Sequence, residues 1–290
     1  MHDVVIMTDS SSGITQEKAA QLGVEVIPIP FLINGETYFE GVNLSQEQFF
    51  QYLKEDAGVS TSQPSPGVLT EAWERILKTH REIVYIPLSS GLSNSCMTAL
   101  ALAQEYDGRV QVVDNGRVSV PQYQTVMDAL FYAREGKSAQ EIKQELEMKK
   151  NRFHIYVTVD TFKYLKKGGR VSGTAAVLGT MLNIKPVLSL GVEKLDVTAK
   201  CRGMKAAQRT MIEALRKDLD GDLREYFEQG KIRIMTAYSN ISQAAVEEWN
   251  REVREAFQVD YVESAPLALG LACHIGPGGI GIAASYTDSI

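Results

Sequence analysis

IPLSSGLSNSC, residues 86–96, is the stretch from which the first half of the chain can be read. The apolar run Ile83, Val84, Tyr85 and Ile86 predicts a buried strand, Pro87 stops it, and residues 94–104 predict a helix. Strand, small-residue turn and helix in that order place the turn beyond the carboxyl end of a sheet strand. Open α/β sheets bind ligands there, and a helix start offers unpaired backbone N–H groups. The turn carries Ser89, Ser90, Ser93, Asn94 and Ser95 but no charge, so it suits an oxygen-bearing group held by neutral donors. Serines ahead of a helix serve equally as caps. A nucleophile is the third reading: residues 91–95 place Ser95 where the G-x-S-x-G elbow of hydrolases needs the glycine that lets its backbone turn tightly.

Working outward, the same strand, hydroxyl-rich turn and helix appear at residues 4–23, where TDSSSG follows an apolar strand and Thr15 caps a short helix ending at Gly23. Residues 24–33 are apolar and β-branched, and Asn34-Gly35 is a two-residue hairpin signal. Ser45 with Gln48 forms a capping box. VSTSQPSPG, residues 59–67, follows as a rigid loop with Ser65 at N-cap and Pro66 at N1 of the next helix. It reads either as a ligand-holding loop of low entropy cost or as a well-capped connector. A strand at 110–113 and two helices, the second opened by Ser138 and Glu141, continue the alternation of a parallel sheet covered on both faces.

The pattern changes after residue 155. Residues 185–190 and 192–197 predict a strand pair around Gly191, residues 204–219 a long helix, and residues 232–262 a β-α-β unit. The expected fold is α/β with two domains. An N-terminal parallel-sheet α/β/α domain takes residues 1–155, with a β-hairpin excursion near 24–40, and a C-terminal mixed or antiparallel α+β domain takes residues 156–290.

At 290 residues the chain can bury a large core. Its net charge of -6 disfavours a constitutive nucleic-acid binder, which needs a concentrated basic face. Cys96, Cys201 and Cys273 are odd in number and far apart, so neither a disulfide framework nor a C-x-x-C metal site is expected, and a reducing cytoplasm is the expected compartment. The start, MHDVVIMTDSSSG, lacks the basic and apolar regions of a secretion signal. The nearly uncharged residues 264–287 contain too many glycines and prolines for a spanning helix.

Residues 276–281, GPGGIG, match the dinucleotide fingerprint G-x-G-x-x-G in letters only. The fingerprint must follow a strand and open a helix early in a βαβ unit, with an acidic residue ~20 positions on. A glycine run beside His274 better suits backbone packed closely against a neighbour or ligand. His274 itself reads as a hydrogen-bonded core histidine or as a functional one.

TDSSSGIT, STSQPSPG, IPLSSGLSNS, VDTFKYLKKGGRVSG, NIKPVLSL, KCRGMKAA and HIGPGGIG, in this order and spread along nearly the whole chain, closely resemble the DegV family. The resemblance implies a bacterial cytoplasmic fatty-acid-binding protein of two α/β domains. The acyl chain would lie in a tunnel in the N-terminal domain, and the carboxyl group would be held by hydroxyls and a histidine near the domain junction. Motif by motif it assigns ligand binding to Thr61 and Ser93 and to His274, with Ser62 and Asn94 beside them. Arg170 and Arg202 match basic positions expected at the mouth of the site or on a partner-docking face. Some members are the binding subunit of a two-component fatty acid kinase, whose separate catalytic subunit phosphorylates the bound acid to an acyl phosphate in phospholipid metabolism. The resemblance therefore implies a carrier with no catalytic residues, no metal and no cofactor. Its ligand would be a long-chain fatty acid such as palmitate. The expected partners are the fatty acid, the kinase subunit and, transiently, a membrane surface, with no nucleic acid.

The physics is compatible with that assignment. A ~16-carbon chain buries fifteen or so methylenes at about 0.8 kcal/mol each, a gross gain of roughly 12 kcal/mol before ordering costs. The head group then needs only to be satisfied. Hydroxyls and a helix start can do this for either protonation state, whereas a buried arginine would add its own desolvation cost. The rival from another class is a serine hydrolase acting on acyl esters through Ser93 or Ser95 with His274, against which no acidic third member is evident. A phosphate or nucleotide binder using the serine turns and GPGG is a second rival.

Overall fold

The computed structural model describes residues 3–169, 183–190 and 195–289. Its first half alternates strands and helices as the pattern requires: β1 (Val4–Asp9), α1 (Gln16–Leu22), β2 (Glu25–Ile27), β3 (Pro30–Ile33), β4 (Glu36–Phe39), α2 (Gln46–Lys54), β5 (Val59–Thr61), α3 (Pro66–Leu77), β6 (Glu82–Ile86), α4 (Ser95–Ala103), β7 (Val110–Val112), α5 (Val120–Arg134) and α6 (Ala139–Met148). Strands β2, β1, β6 and β7, in that order, form a parallel sheet. Period-two alternation sends neighbouring side chains to opposite faces. Ile6, Val84 and Ile86 pack with Val126, Ala129 and Ile142 of α5 and α6. Met7, Ile83 and Tyr85 pack with Leu69 and Trp73 of α3 and Cys96 of α4.

The chain leaves the parallel sheet after Ile27, and the ribbon it forms turns at Asn34-Gly35 as predicted. β3 pairs antiparallel with β4, Ile33 facing Glu36, and the two turn residues take φ of 51° and 90°. Positive φ at both is what a type I′ turn demands. β5 adds to the other side of β3, with Phe31 opposite Thr61. The caps read from sequence are also present: Ser45 and Gln48, and Ser138 and Glu141, close reciprocal capping boxes, and Ser65 caps α3 behind Pro66.

The second half comprises β8 (Phe153–Thr158), α7 (Lys163–Gly168), β9 (Ile184–Leu190), β10 (Leu195–Arg202), α8 (Met204–Asp220), α9 (Arg224–Glu228), β11 (Ile232–Ser239), α10 (Gln243–Phe257), β12 (Glu263–Pro266), α11 (Leu269–Ile275) and β13 (Gly279–Tyr286). Its six-stranded sheet runs β10-β9-β8-β13-β11-β12 and is antiparallel except for the β11–β12 pair of the β-α-β unit. Among the described residues the strand paired with β9 is Leu195–Arg202, which runs on past the predicted residue 197, and residues 191–194 lie outside the described residues. The pairing shifts register between Val197 and Ala199, an irregularity of the kind that bends and twists a strand. GPGGIG runs from α11 into β13, a strand, so the dinucleotide reading fails on its context.

The two halves are clasped at residues 287–289. Asp128 of α5 accepts hydrogen bonds at Oδ1 from Thr287 Oγ1 (2.6 Å), the Asp288 and Ser289 amides (3.1 and 3.0 Å) and Ser289 Oγ (2.8 Å). Asp288 in turn meets Lys149 and Tyr132 of the first half and Lys231 of the second, the last at 2.8 Å. No helix among the described residues is long and apolar enough to cross a membrane.

Candidate functional site

A cavity of about 140 Å3 lies between the two sheets. Leu88, Val118 and Val120 line it from the first half, and Ile155, Val157 and Leu271 from the second. The cavity is thus walled by both halves of the chain. One face of the antiparallel sheet supplies much of its wall, because alternation in β8 and β13 turns Ile155, Val157, Gly281 and Ala283 toward the cavity while Tyr156, Ile280 and Ala284 pack on the α8 side. An apolar cavity of this size holds water poorly and gains by taking up apolar matter.

Its polar wall is short. Thr61 ends β5, where the Ser62 amide donates to Pro30 O (3.2 Å) and the loop then passes through buried Pro64 to the cap of α3. Gln63 Oε1 accepts from Thr98 Oγ1 of α4 at 3.3 Å, which draws this loop against the turn that carries Ser93. In that turn the Ser93 amide donates to Ser89 O (3.2 Å), and Ser93 Oγ accepts the Ser95 amide at 3.2 Å. The Ser93 hydroxyl is thereby oriented with its proton still to give. His274, near the end of α11, brings Nε2 to 3.5 Å from Thr61 Oγ1, the outer limit of a hydrogen bond, so an acceptor lodged beside the pair could engage both tips.

Thr61, Ser62, Ser93 and His274 all line the cavity. Asn94 does not. It is exposed at the N-cap of α4, its side chain makes no cap bond, and its αR backbone (φ -71°, ψ -3°) carries the chain straight into the helix. Arg202 is exposed at the end of β10, outside the lining, and Arg170 lies outside the described residues.

The glycines around His274 are packed as a run of close approaches. A side chain at Gly168 would meet the His274 ring, one at Gly276 would meet the Tyr164 ring at 2.1 Å, and one at Gly279 would meet Ile275 at 2.2 Å. Gly276 and Gly278 also take φ of 77° and 81°, which disfavours any residue with a Cβ.

Behind the cavity the first hydroxyl turn acts as scaffold. Asp9 is fully buried; its Oδ2 accepts the Leu88 amide (2.8 Å), and its Oδ1 accepts the Ser11 amide (3.0 Å) and Gln122 Nε2 (3.2 Å). Burial pushes its carboxyl above the usual aspartate range, opposed by the bonds from Ser11, Leu88 and Gln122. The Ser119 amide donates to Ser11 O, and Ser119 itself reaches the cavity with φ of 57°. Sequence reasoning passed over Ser119 and Gln63. Ser119 has no local cue in the sequence, since a serine with positive φ is imposed by packing; Gln63 sits inside the TSQPS loop.

Glu40 stands at the end of the ribbon, and no local pattern in the sequence marks it as buried. It accepts the Leu269 amide at 2.8 Å at the start of α11, and burial pushes its carboxyl up to about 7. On the α8 face of the second sheet, away from the cavity, His154 stands between Asp222 (Nε2, 2.9 Å) and Asp218 (Nδ1, 3.5 Å). A second cavity of about 90 Å3 shares Thr61 and His274 with the first.

Comparison with known proteins places this architecture. The family model described as "Uncharacterised protein, DegV family" matches residues 3–287. A DegV domain-containing protein of Deinococcus radiodurans is 32% identical over 283 residues, 97% of this chain and 97% of that protein. Among solved structures, a fatty-acid-binding DegV family protein of Thermus thermophilus superposes with a TM-score of 0.86 at 30% identity, over 98% of this chain and 99% of that one. The fatty acid binding DegV family protein of Streptococcus agalactiae gives a TM-score of 0.87 at 25% identity, over 99% and 100%.

Proposed function

This chain belongs to the DegV family, and from that premise we propose that it binds a long-chain fatty acid in the cavity between its two sheets. The observation that carries the reading is the union of an apolar cavity with a wall where Thr61 and His274 face each other at 3.5 Å. Relatives of matching fold and 25 to 30% identity that bind fatty acids support it. The acyl chain supplies the affinity through burial, and Thr61, Ser93 and His274 satisfy the carboxyl group with neutral donors, sparing the cost of desolvating a second charge.

In this reading the chain is a carrier. It presents the carboxyl group to a separate kinase subunit, which transfers the phosphoryl group of ATP to a carboxylate oxygen and releases ADP. Arg202, exposed at the end of β10, suits a docking face rather than the head-group site, and transient contact with a membrane surface serves loading. Organic extraction of the purified protein followed by mass spectrometry tests the ligand: long-chain fatty acid in near-stoichiometric amount is expected. Failure to recover any, together with no saturable uptake of palmitate by the extracted protein, would overturn the proposal.

A further inference from the structure

Thr61 and His274 have a cavity on each side. The second one, of about 90 Å3, has several times the room a single water requires, and its chemistry differs from that of the acyl chamber. Ser60, Tyr164 and Lys167 line it together with the Thr61–His274 pair. These groups come from three elements, β5, α7 and α11, and all can donate hydrogen bonds. Asp56 is the one carboxylate among the described residues of the lining, and Lys163 meets it at 2.8 Å. Lys167, whose Nζ stands 3.4 Å from Ala57 O on the same wall, adds a second positive charge to that single negative one.

Leu53, Ala57, Val59 and Cys273 supply part of the wall, but an alkyl chain gains less here than in the first cavity, since it would strip water from an ammonium and several hydroxyls without replacing the lost bonds. A compact group with many acceptors gains from each of them, and donors converging from separate elements suit a tetrahedral oxyanion. We propose that the second cavity is a binding site for a phosphate-class oxyanion, seated across the Thr61–His274 pair from the acyl chain. Its position relative to the ligand's carboxyl group rests on the fatty-acid reading above. The cation, the donors and the space do not.

Two sources share this chemistry, free inorganic phosphate and a phosphoryl group joined to the ligand's own carboxyl. The experiment uses the full chain, stripped of lipid and reloaded with palmitate. Inorganic phosphate is titrated in and followed by calorimetry and 31P line broadening, for the wild type and for Lys167→Met and Tyr164→Phe. Saturable binding is expected, weakened about tenfold or more by Lys167→Met, the loss of a charge-assisted contact. Palmitate affinity should stay within about twofold, because Lys167 is exposed and outside the acyl chamber. A second arm compares palmitate with its β-keto phosphonate analogue of equal chain length. Tighter binding of the analogue, with the advantage lost in Lys167→Met, assigns the site to a ligand-borne phosphoryl group; equal binding beside saturable phosphate assigns it to the free anion. Absence of both phosphate binding and a phosphonate advantage, or full retention of them in Lys167→Met, overturns the site. Palmitate uptake by the wild type separately reports whether the fatty-acid reading holds.

Discussion

A Cβ atom built on Gly168 would stand 2.0 Å from Nδ1 of His274. Helix α7 thus meets the imidazole with bare backbone, and the ring's place beside Thr61 depends on that helix having no side chain there. Gly168→Ala should push the ring away from Thr61 and lower palmitate affinity by about tenfold, overpacking of this kind costing on the order of 1–3 kcal/mol. Gly169→Ala is the control. It is strained at φ 65° but has nothing within 4 Å, so it should cost some stability and leave affinity unchanged. Equal affinities for the wild type and Gly168→Ala would remove this contact from the site.

Filling the cavity should exchange ligand binding for stability. Ala237 lines it and is almost fully buried. Ala237→Leu is expected to raise the melting temperature of the lipid-free protein, since added methylenes occupy space no atom fills, while palmitate uptake falls sharply. A variant that melts lower and still binds palmitate normally would place the acyl chain elsewhere.

Glu40 should make stability depend on pH. Its folded carboxyl titrates at about 7 against a reference of 4.5, because burial outweighs the bond from the Leu269 amide. The folded state therefore holds a proton that the unfolded state releases, and stability falls as pH rises from 4.5 to 7. Glu40→Gln keeps an acceptor for that amide without the charge. It should be more stable than the wild type at pH 8, by about 2 kcal/mol once partial exposure is allowed for, with the gap closing toward pH 4.5. Chemical denaturation at three pH values measures it, and parallel curves for the two proteins would refute the assignment.

Asp288 has the opposite sign. Desolvation is outweighed by Lys149, Lys231 and the tyrosine hydroxyls, which hold its carboxyl well below the reference value of 3.8. Its contribution is complete above pH 3.8 and is lost as acid drives the folded carboxylate to protonate. Asp288→Asn should cost about 2 kcal/mol at neutral pH through the weakened clasp, and the difference should shrink in strong acid. Because the clasp joins the two halves, ligand release should also quicken. An unaltered melting temperature at pH 7 would show that the cluster is electrostatic ornament.

What could be read from the chain beforehand was what short range dictates. The capping boxes at Ser45 and Ser138, the Asn34-Gly35 turn and the Pro66 helix start involve residues within a few positions of one another, so their geometry follows from their own chemistry. The family motifs extended this to Thr61, Ser62, Ser93 and His274, which do share a cavity. Asn94 stands exposed at the N-cap of α4, outside that lining. The course of the cavity between the sheets, the buried Glu40 and the Asp128 and Asp288 clasp depend on how two separately patterned halves meet, and no periodicity along the chain encodes that meeting.

Thr61 and His274 are separated by 213 positions. On the ribosome the strand end that bears Thr61 is therefore extruded long before α11, and the cavity's second wall stays incomplete until β13 has been made. A nascent chain can complete its parallel sheet early but not the chamber, so on the proposed function lipid uptake would follow synthesis and would not template the first half.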